Sequence, residues 1–121
     1  MITIFKKQLL VFNLLKYEEF IIKAVGFIKL NFPEWCREKM DDDVKKYILF
    51  MIQFSEKYNI YTEINVIKLI EYKLEFNFDL VKYKVLENTL MNLDISEDER
   101  IANFYLNLES GNYKLQEILI S

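Results

Sequence analysis

Residues 10–28, LVFNLLKYEEFIIKAVGFI, decide the fold class. Apolar side chains recur here at intervals of three and four residues, which is the spacing of one face of an α-helix. That face consists of Leu10, Leu14, Tyr17, Ile21, Ala24, Val25 and Ile28. Further apolar side chains lie beside it, and a helix that is apolar on most sides is typical of a core centre or a partner-covered element. The pattern predicts one long, mostly apolar first helix over residues 5–31.

Capping signals place further helices along the rest of the chain. Pro33 disfavours helical backbone in the residue before it and predicts the end of the first helix there. The aspartates at residues 41–43 and Thr62 are candidate N-caps. Ser96 followed by Glu99 has the spacing of a capping box. We therefore expect further helices at about residues 44–57, 62–76, 83–91 and 96–110.

Polar and glycine residues predict where these helices end. Asn59 is suited to the left-handed backbone conformation that often follows a helix. The run at residues 77–79 interrupts the helical spacing, and Gly111 follows the last helix. The connections are therefore short.

The composition limits the fold classes that this chain can adopt. The chain has 121 residues, of which 52% are apolar and 29% charged, so it is able to bury one core. Two glycines and one proline are few for a sheet-rich fold, which needs many tight turns. We expect an all-α protein, with a single compact domain of about five helices over residues 1–121.

Charge and hydropathy predict the compartment and exclude two classes of partner. Sixteen basic and nineteen acidic residues give a net charge of −3 without a basic block, which argues against nucleic-acid binding. Charged residues interrupt every apolar stretch, and no small-residue cleavage site follows the N-terminal apolar run, so neither a membrane span nor a signal peptide is expected. The lone Cys36 cannot form an internal disulfide. We expect a cytoplasmic protein.

The residues that usually carry catalysis are scarce. The sequence has no histidine, which removes the commonest general base and metal ligand. Gly26 and Gly111 are too far apart for a phosphate-binding loop. Cys36 has no activating histidine, and the aspartates at residues 41–43 fit helix capping better than calcium binding. We expect no catalytic residue, no metal and no cofactor.

Four apolar or aromatic residues are candidate partner contacts. Leu9, Phe12 and Phe20 are offset from the core face of the first helix, and charged replacements there should weaken association. Trp35 lies in the connector after Pro33, and tryptophan recurs at binding hot spots. A homodimer or another protein would cover this apolar surface, while the alternative is that later helices wrap the first one completely.

The order of features between residues 27 and 108 resembles a family of small helical bacterial proteins. These are often encoded near type VI secretion spike and effector genes. The likeness rests on Phe32-Pro33, Tyr58-Asn59-Ile60 with Glu63, Phe78-Asp79 and Arg100-Ile101. Asn59 stands where that family commonly has glycine. The resemblance implies an accessory role beside a secreted toxin, as an adaptor, a chaperone or an immunity factor.

The functional expectation is a non-enzymatic protein-protein interaction module, an adaptor or chaperone for a secreted effector or spike component. One alternative is an immunity protein that neutralises a cognate toxin. Two others are an enzyme that uses carboxylates alone and a carrier of a small ligand or lipid.

Overall fold

A computed structural model describes residues 17–114, which contain six complete helices. They are α1 (Glu18–Asn31), α2 (Pro33–Cys36), α3 (Asp41–Lys57), α4 (Glu63–Phe76), α5 (Lys84–Met91) and α6 (Glu97–Ser110). These residues contain no strand, which confirms the all-α prediction. In the same range, no helix is both long enough and apolar enough to cross a bilayer.

Backbone contacts group the chain into two units, residues 1–52 and 53–121, with the boundary inside α3. The first unit contains α1, α2 and most of α3. The second contains the end of α3 and helices α4 to α6. The single domain over residues 1–121 stays a prediction.

In the first unit, α1 carries the helical face that the sequence predicts. Ile21, Ala24 and Ile28 are buried on it, whereas Ile22 and Leu30 are exposed, so the described part of the helix has a core side and a solvent side. The predicted stretch before residue 17 lies outside the described residues. A long first helix that is apolar on most sides is therefore not confirmed.

The end of α1 is where the sequence places it. Asn31 is the last helical residue, and Phe32 leaves the helix with a φ of −132°. The connector predicted after it is instead the one-turn helix α2, because Pro33 at its first position has a φ already suited to a helix.

Helix α3 begins three residues earlier than predicted. Asp41, Asp42 and Asp43 form its first turn, where their negative charges interact favourably with the positive end of the helix dipole. The Asp43 carboxylate accepts a hydrogen bond from the backbone N–H of Met40 at 3.3 Å. Asp41 also lies 2.9 Å from Lys29 Nζ in an ion pair between α1 and α3.

In the second unit, α6 packs against both α4 and α5. Phe104 of α6 is fully buried, and its ring centroid lies 5.0 Å from that of Phe78 in an edge-to-face arrangement. The fully buried aliphatic side chains of the unit are Ile60, Leu69, Ile70, Leu86, Leu90 and Ile101. These contacts fix the position of α5, which forms a wall of each of the two clefts described below.

Three left-handed residues end helices in this unit. Asn59, Asn77 and Gly111 have φ values of 58°, 47° and 70°. The first and the last were predicted from the sequence, and Asn77 begins the predicted break at residues 77–79. Asparagine and glycine reach this conformation at low steric cost.

The two predicted N-caps differ in their hydrogen bonds. Ser96 Oγ accepts a hydrogen bond from the Glu99 N–H at 3.1 Å, which confirms the cap of α6. Thr62 occupies the N-cap position of α4, but its hydroxyl makes no capping hydrogen bond. Its own N–H donates to Glu97 Oε1 at 2.9 Å, so a side chain of α6 supports the start of α4.

Candidate binding clefts on either side of helix α5

Helix α5 separates two surface clefts of the second unit. Leu86 and Leu90 bury one side of the helix in the core. Glu87 and Met91, four residues apart, line one cleft, which we call the tyrosine cleft. Asn88 and Asn92, also four residues apart, line the other, which we call the asparagine groove.

The asparagine groove lies between α5 and α6 and has a volume of about 520 Å³. Its lining residues are Val85, Asn88, Thr89, Asn92, Ile95, Asn103, Leu106 and Asn107. Within the described part of the chain, this lining includes no charged and no aromatic side chain. The groove therefore offers neutral amide and hydroxyl groups between aliphatic ones.

Hydrogen bonds orient part of this lining. Asn107 Nδ2 donates to Thr89 Oγ1 at 2.9 Å, and the Thr89 hydroxyl donates to the Val85 carbonyl at 3.0 Å. Asn88 and Asn103 are exposed, and their side chains make no hydrogen bond within residues 17–114. Two primary amides, each with two donor hydrogens and one acceptor oxygen, are thus available to a ligand.

The tyrosine cleft is smaller, with a volume of about 220 Å³. Its lining residues are Lys57, Tyr58, Asn59, Glu87, Met91 and Leu93. The Tyr58 hydroxyl donates to Glu87 Oε2 at 2.9 Å, and Lys84 Nζ donates to Glu87 Oε1 at 3.2 Å. Met91 and Leu93 are 56% and 63% exposed, so the cleft has an apolar rim.

Neither Tyr58 nor Glu87, which share a hydrogen bond in this cleft, is suited to proton transfer near neutral pH. Burial raises the pKa of Tyr58 to about 12, and the Glu87 carboxylate adds to the rise. The hydrogen bonds from Tyr58 and Lys84 hold the pKa of Glu87 below its usual value. The phenol thus stays protonated and the carboxyl ionised, which suits binding better than acid-base catalysis.

Arg100 positions the elements around both clefts. Its side chain is 4% exposed, and Nη1 donates to the carbonyls of Tyr58 at 2.7 Å and Leu90 at 2.8 Å. Nη2 donates to the Asn59 carbonyl at 3.1 Å. The guanidinium therefore joins α6 to the turn after α3 and to the end of α5.

A second polar cluster joins the N-termini of α4 and α6. Asn65 is 1% exposed, and its Nδ2 donates to Glu97 Oε1 at 2.9 Å and to Asp98 Oδ1 at 2.7 Å. Burial by itself would raise the pKa of Glu97, but the hydrogen bonds from Asn65 and Thr62 outweigh it and lower that pKa. Among residues 17–114, no three acidic or cysteine side chains are placed to hold a metal ion.

The structure separates the predicted partner contacts. Leu9 and Phe12 lie outside the described residues. Phe20 is 6% exposed and belongs to the buried side of α1, so its assignment to an exposed face is wrong. The physical reason is the helical period, because Phe20 lies four residues before Ala24, on the same side.

Trp35 is half-buried in the first unit. Its ring centroid lies 4.9 Å from that of Tyr47, and Lys39 Nζ lies 4.2 Å from the centroid of the indole. The Tyr47 ring and the Lys39 ammonium thus occupy part of the indole surface. A partner contact at Trp35 stays a prediction.

The asparagine groove was not predicted from the sequence. A signal was present, because Asn103 and Asn107 are spaced four residues apart on one helix face, and Asn88 and Asn92 have the same spacing at the end of α5. Only the packing of α5 against α6 brings the two pairs to one groove.

Comparison of the chain with protein families, curated proteins and solved structures found no match.

Proposed function

We propose that the protein is a non-enzymatic protein-binding module whose contact site is the asparagine groove. The observation that carries this proposal is the lining of the groove, four asparagines with Thr89 and three aliphatic side chains. Amides do not ionise and are poor nucleophiles, but they pair well with the polar groups of another protein. A groove of this composition supports recognition rather than reaction.

The alternative of a carboxylate-only enzyme has less support. Acid-base catalysis by carboxyls needs one with a raised pKa that holds its proton near neutrality. Among the described residues, hydrogen bonds or ion pairing lower the pKa of each carboxyl with a perturbed value, namely Asp41, Glu87 and Glu97. These carboxyls are ionised and serve as hydrogen-bond acceptors.

The small-ligand carrier also has less support than the binding module. Sites for small molecules have mainly apolar and aromatic linings and volumes of roughly 300–1,000 Å³. The asparagine groove has such a volume, but five of its eight described lining residues are asparagine or threonine and none is aromatic. The tyrosine cleft has the aromatic ring but not the volume.

The class of partner follows from the resemblance to secretion-associated proteins. On that basis we propose an adaptor or chaperone that binds a secreted effector or spike component in the cytoplasm. An immunity protein is the main rival. The neutral groove favours the adaptor, because binding to a basic toxin cleft would use an acidic surface.

The proposal is tested by affinity purification from the native organism followed by mass spectrometry. The bait is compared with the double variant Asn88→Asp/Asn103→Asp and with the control Asn112→Asp, which changes an exposed asparagine outside the groove lining. We expect a protein that the wild type and the control retain and the double variant loses. Identical captures by all three baits would refute the groove as the contact site.

A further inference from the structure

Three aromatic rings form a corner on the surface between α4 and α6. The rings of Tyr72 and Tyr105 are stacked, with centroids 5.0 Å apart and planes inclined by 26°. The Phe76 ring centroid lies 6.3 Å from that of Tyr105, at an interplanar angle of 68°. Tyr72 is 8% exposed, whereas Phe76 and Tyr105 are half-buried, so solvent reaches part of the latter two side chains. We call these three rings the aromatic corner.

Carboxylates flank the aromatic corner on both helices. Glu71 and Glu75 lie one residue before and three residues after Tyr72 in α4, and Glu109 lies four residues after Tyr105 in α6. The pKa of Tyr105 is raised mainly by the Glu109 carboxylate, and burial and the two carboxylates of α4 add to the rise. All three negative charges therefore lie close to the same phenol.

The described residues do not neutralise these charges. Among residues 17–114, neither Glu71 nor Glu75 forms an ion pair. Lys68 lies one turn before Tyr72 in α4, whereas the Lys73 ammonium donates to a backbone carbonyl after the helix. Carboxylates thus outnumber ammonium groups around the aromatic corner and give it a net negative charge.

Ring surface and negative charge together select the chemistry of a ligand. An aromatic ring attracts a cation through the negative face of its π system. A guanidinium group is flat, so it stacks on a ring while its N–H groups donate to carboxylates at its edge. An ammonium group carries the same charge, but it has no flat surface and is more strongly hydrated. The aromatic corner therefore fits an arginine side chain best.

We propose that the aromatic corner binds an arginine side chain of a partner protein. The guanidinium stacks on the exposed ring surface of Tyr105 and Phe76 and donates to the carboxylates of Glu75 and Glu109. Tyr72 supports the Tyr105 ring from its buried side. Charge complementarity of this kind gives specificity and faster association.

This inference goes beyond the proposed function, because it assigns a second site with a different chemistry. The aromatic corner lies between α4 and α6, and none of its rings or carboxylates lines the asparagine groove. The groove meets its ligand with neutral amides, whereas the corner requires a positive charge.

The test is a titration of the full chain with N-acetyl-arginine methylamide, followed by nuclear magnetic resonance of the aromatic side chains. We expect saturable shifts of the Tyr105 and Phe76 ring signals. The citrulline analogue has nearly the same shape without the charge and should cause no saturable shift. The lysine analogue keeps the charge without the flat group and should bind more weakly than the arginine compound.

Two variants with matched controls assign the binding to the corner. Tyr105→Leu removes the ring and should weaken binding of the arginine compound at least about threefold, whereas Tyr61→Leu removes an exposed ring elsewhere and should not. Glu109→Gln removes one charge from an exposed side chain and should weaken binding about twofold or more, which provides a second variant if Tyr105→Leu unfolds. Glu99→Gln removes one charge from the same helix and should bind as the wild type does.

Absence of a saturable shift with the arginine compound would overturn the inference, and so would equal binding of the citrulline analogue. Equal binding of the lysine analogue would overturn the choice of a guanidinium group. If Tyr105→Leu and Glu109→Gln bind as tightly as their controls, the ligand lies elsewhere and the aromatic corner is not the site. None of these results bears on the proposed function, because no variant changes the lining of the asparagine groove.

Discussion

At the scale of single residues, the buried side chain of Arg100 joins three separate backbone positions of the second unit. Its guanidinium donates to three carbonyls, those of Tyr58, Asn59 and Leu90. The sequence pattern places this residue in a late helix but does not predict its burial, since arginine is seldom fully buried. Its role depends on the turn after α3 and the end of α5 meeting α6, which no local pattern encodes.

Replacing Arg100 with alanine should destabilise the protein by about 3 kcal/mol, because three carbonyls would lose their donor. Arg37 provides a matched control, since it is the other arginine of the chain and forms an exposed ion pair with Glu34 at 2.7 Å. Arg37→Ala should change stability by less than about 0.5 kcal/mol. Urea unfolding measures both, and equal effects would contradict the structural role of Arg100.

Glu97 should contribute a pH-dependent part of the stability. Its pKa is lowered in the folded protein, so the stabilisation is fully present above the ordinary value of 4.5 and is lost as pH falls through the folded value. We expect the free energy of unfolding of the wild type to decrease from pH 5 to pH 3 more steeply than that of Glu97→Gln.

Glu99→Gln is the control for this comparison. Glu99 lies in the same first turn of α6, and its carboxylate accepts no hydrogen bond within the described residues. This variant should keep the steep dependence of the wild type. Parallel curves for the wild type and Glu97→Gln would show that the hydrogen bonds from Asn65 and Thr62 do not stabilise the ionised carboxylate.

At the scale of helices, alanine substitutions at the two N-cap positions should destabilise the protein to different extents. Ser96→Ala should cost about 1 kcal/mol, because it removes the hydrogen bond to the Glu99 N–H. Thr62→Ala should cost less, because the threonine hydroxyl makes no capping hydrogen bond and the backbone N–H of residue 62 still donates to Glu97. Thermal or urea unfolding of the two variants distinguishes them.

Local signals explain how much of the architecture was predictable. The ends of α1, α3 and α6 follow from Pro33 after α1 and from the left-handed residues Asn59 and Gly111 after α3 and α6. The hydrogen bond from the Thr62 N–H to the Glu97 carboxylate was not predictable, because Glu97 is 35 residues away in sequence. The burial of Phe20 follows from the helical period, which places this residue on the same side of α1 as Ala24. The prediction that Phe20 contacts a partner did not take this period into account.

At the scale of the whole chain, the candidate contact site combines residues from two helices. Either asparagine pair alone would read as the polar surface of an amphipathic helix. The groove exists because α5 packs against α6, with Asn107 Nδ2 bonded to Thr89 Oγ1 across the interface. The sequence predicts apolar partner contacts, whereas five of the eight described lining residues of this groove are asparagine or threonine.

Site-specific photocrosslinking in the native cell tests whether the asparagine groove is the contact site of a partner protein. A benzophenone amino acid replaces Leu106, which lines the groove and is 62% exposed, or Ile64, which lies outside its lining and is 61% exposed. We predict a discrete crosslinked protein from position 106 and none from position 64. No adduct at position 106, or the same adduct from both positions, would contradict the asparagine groove as the site of partner binding.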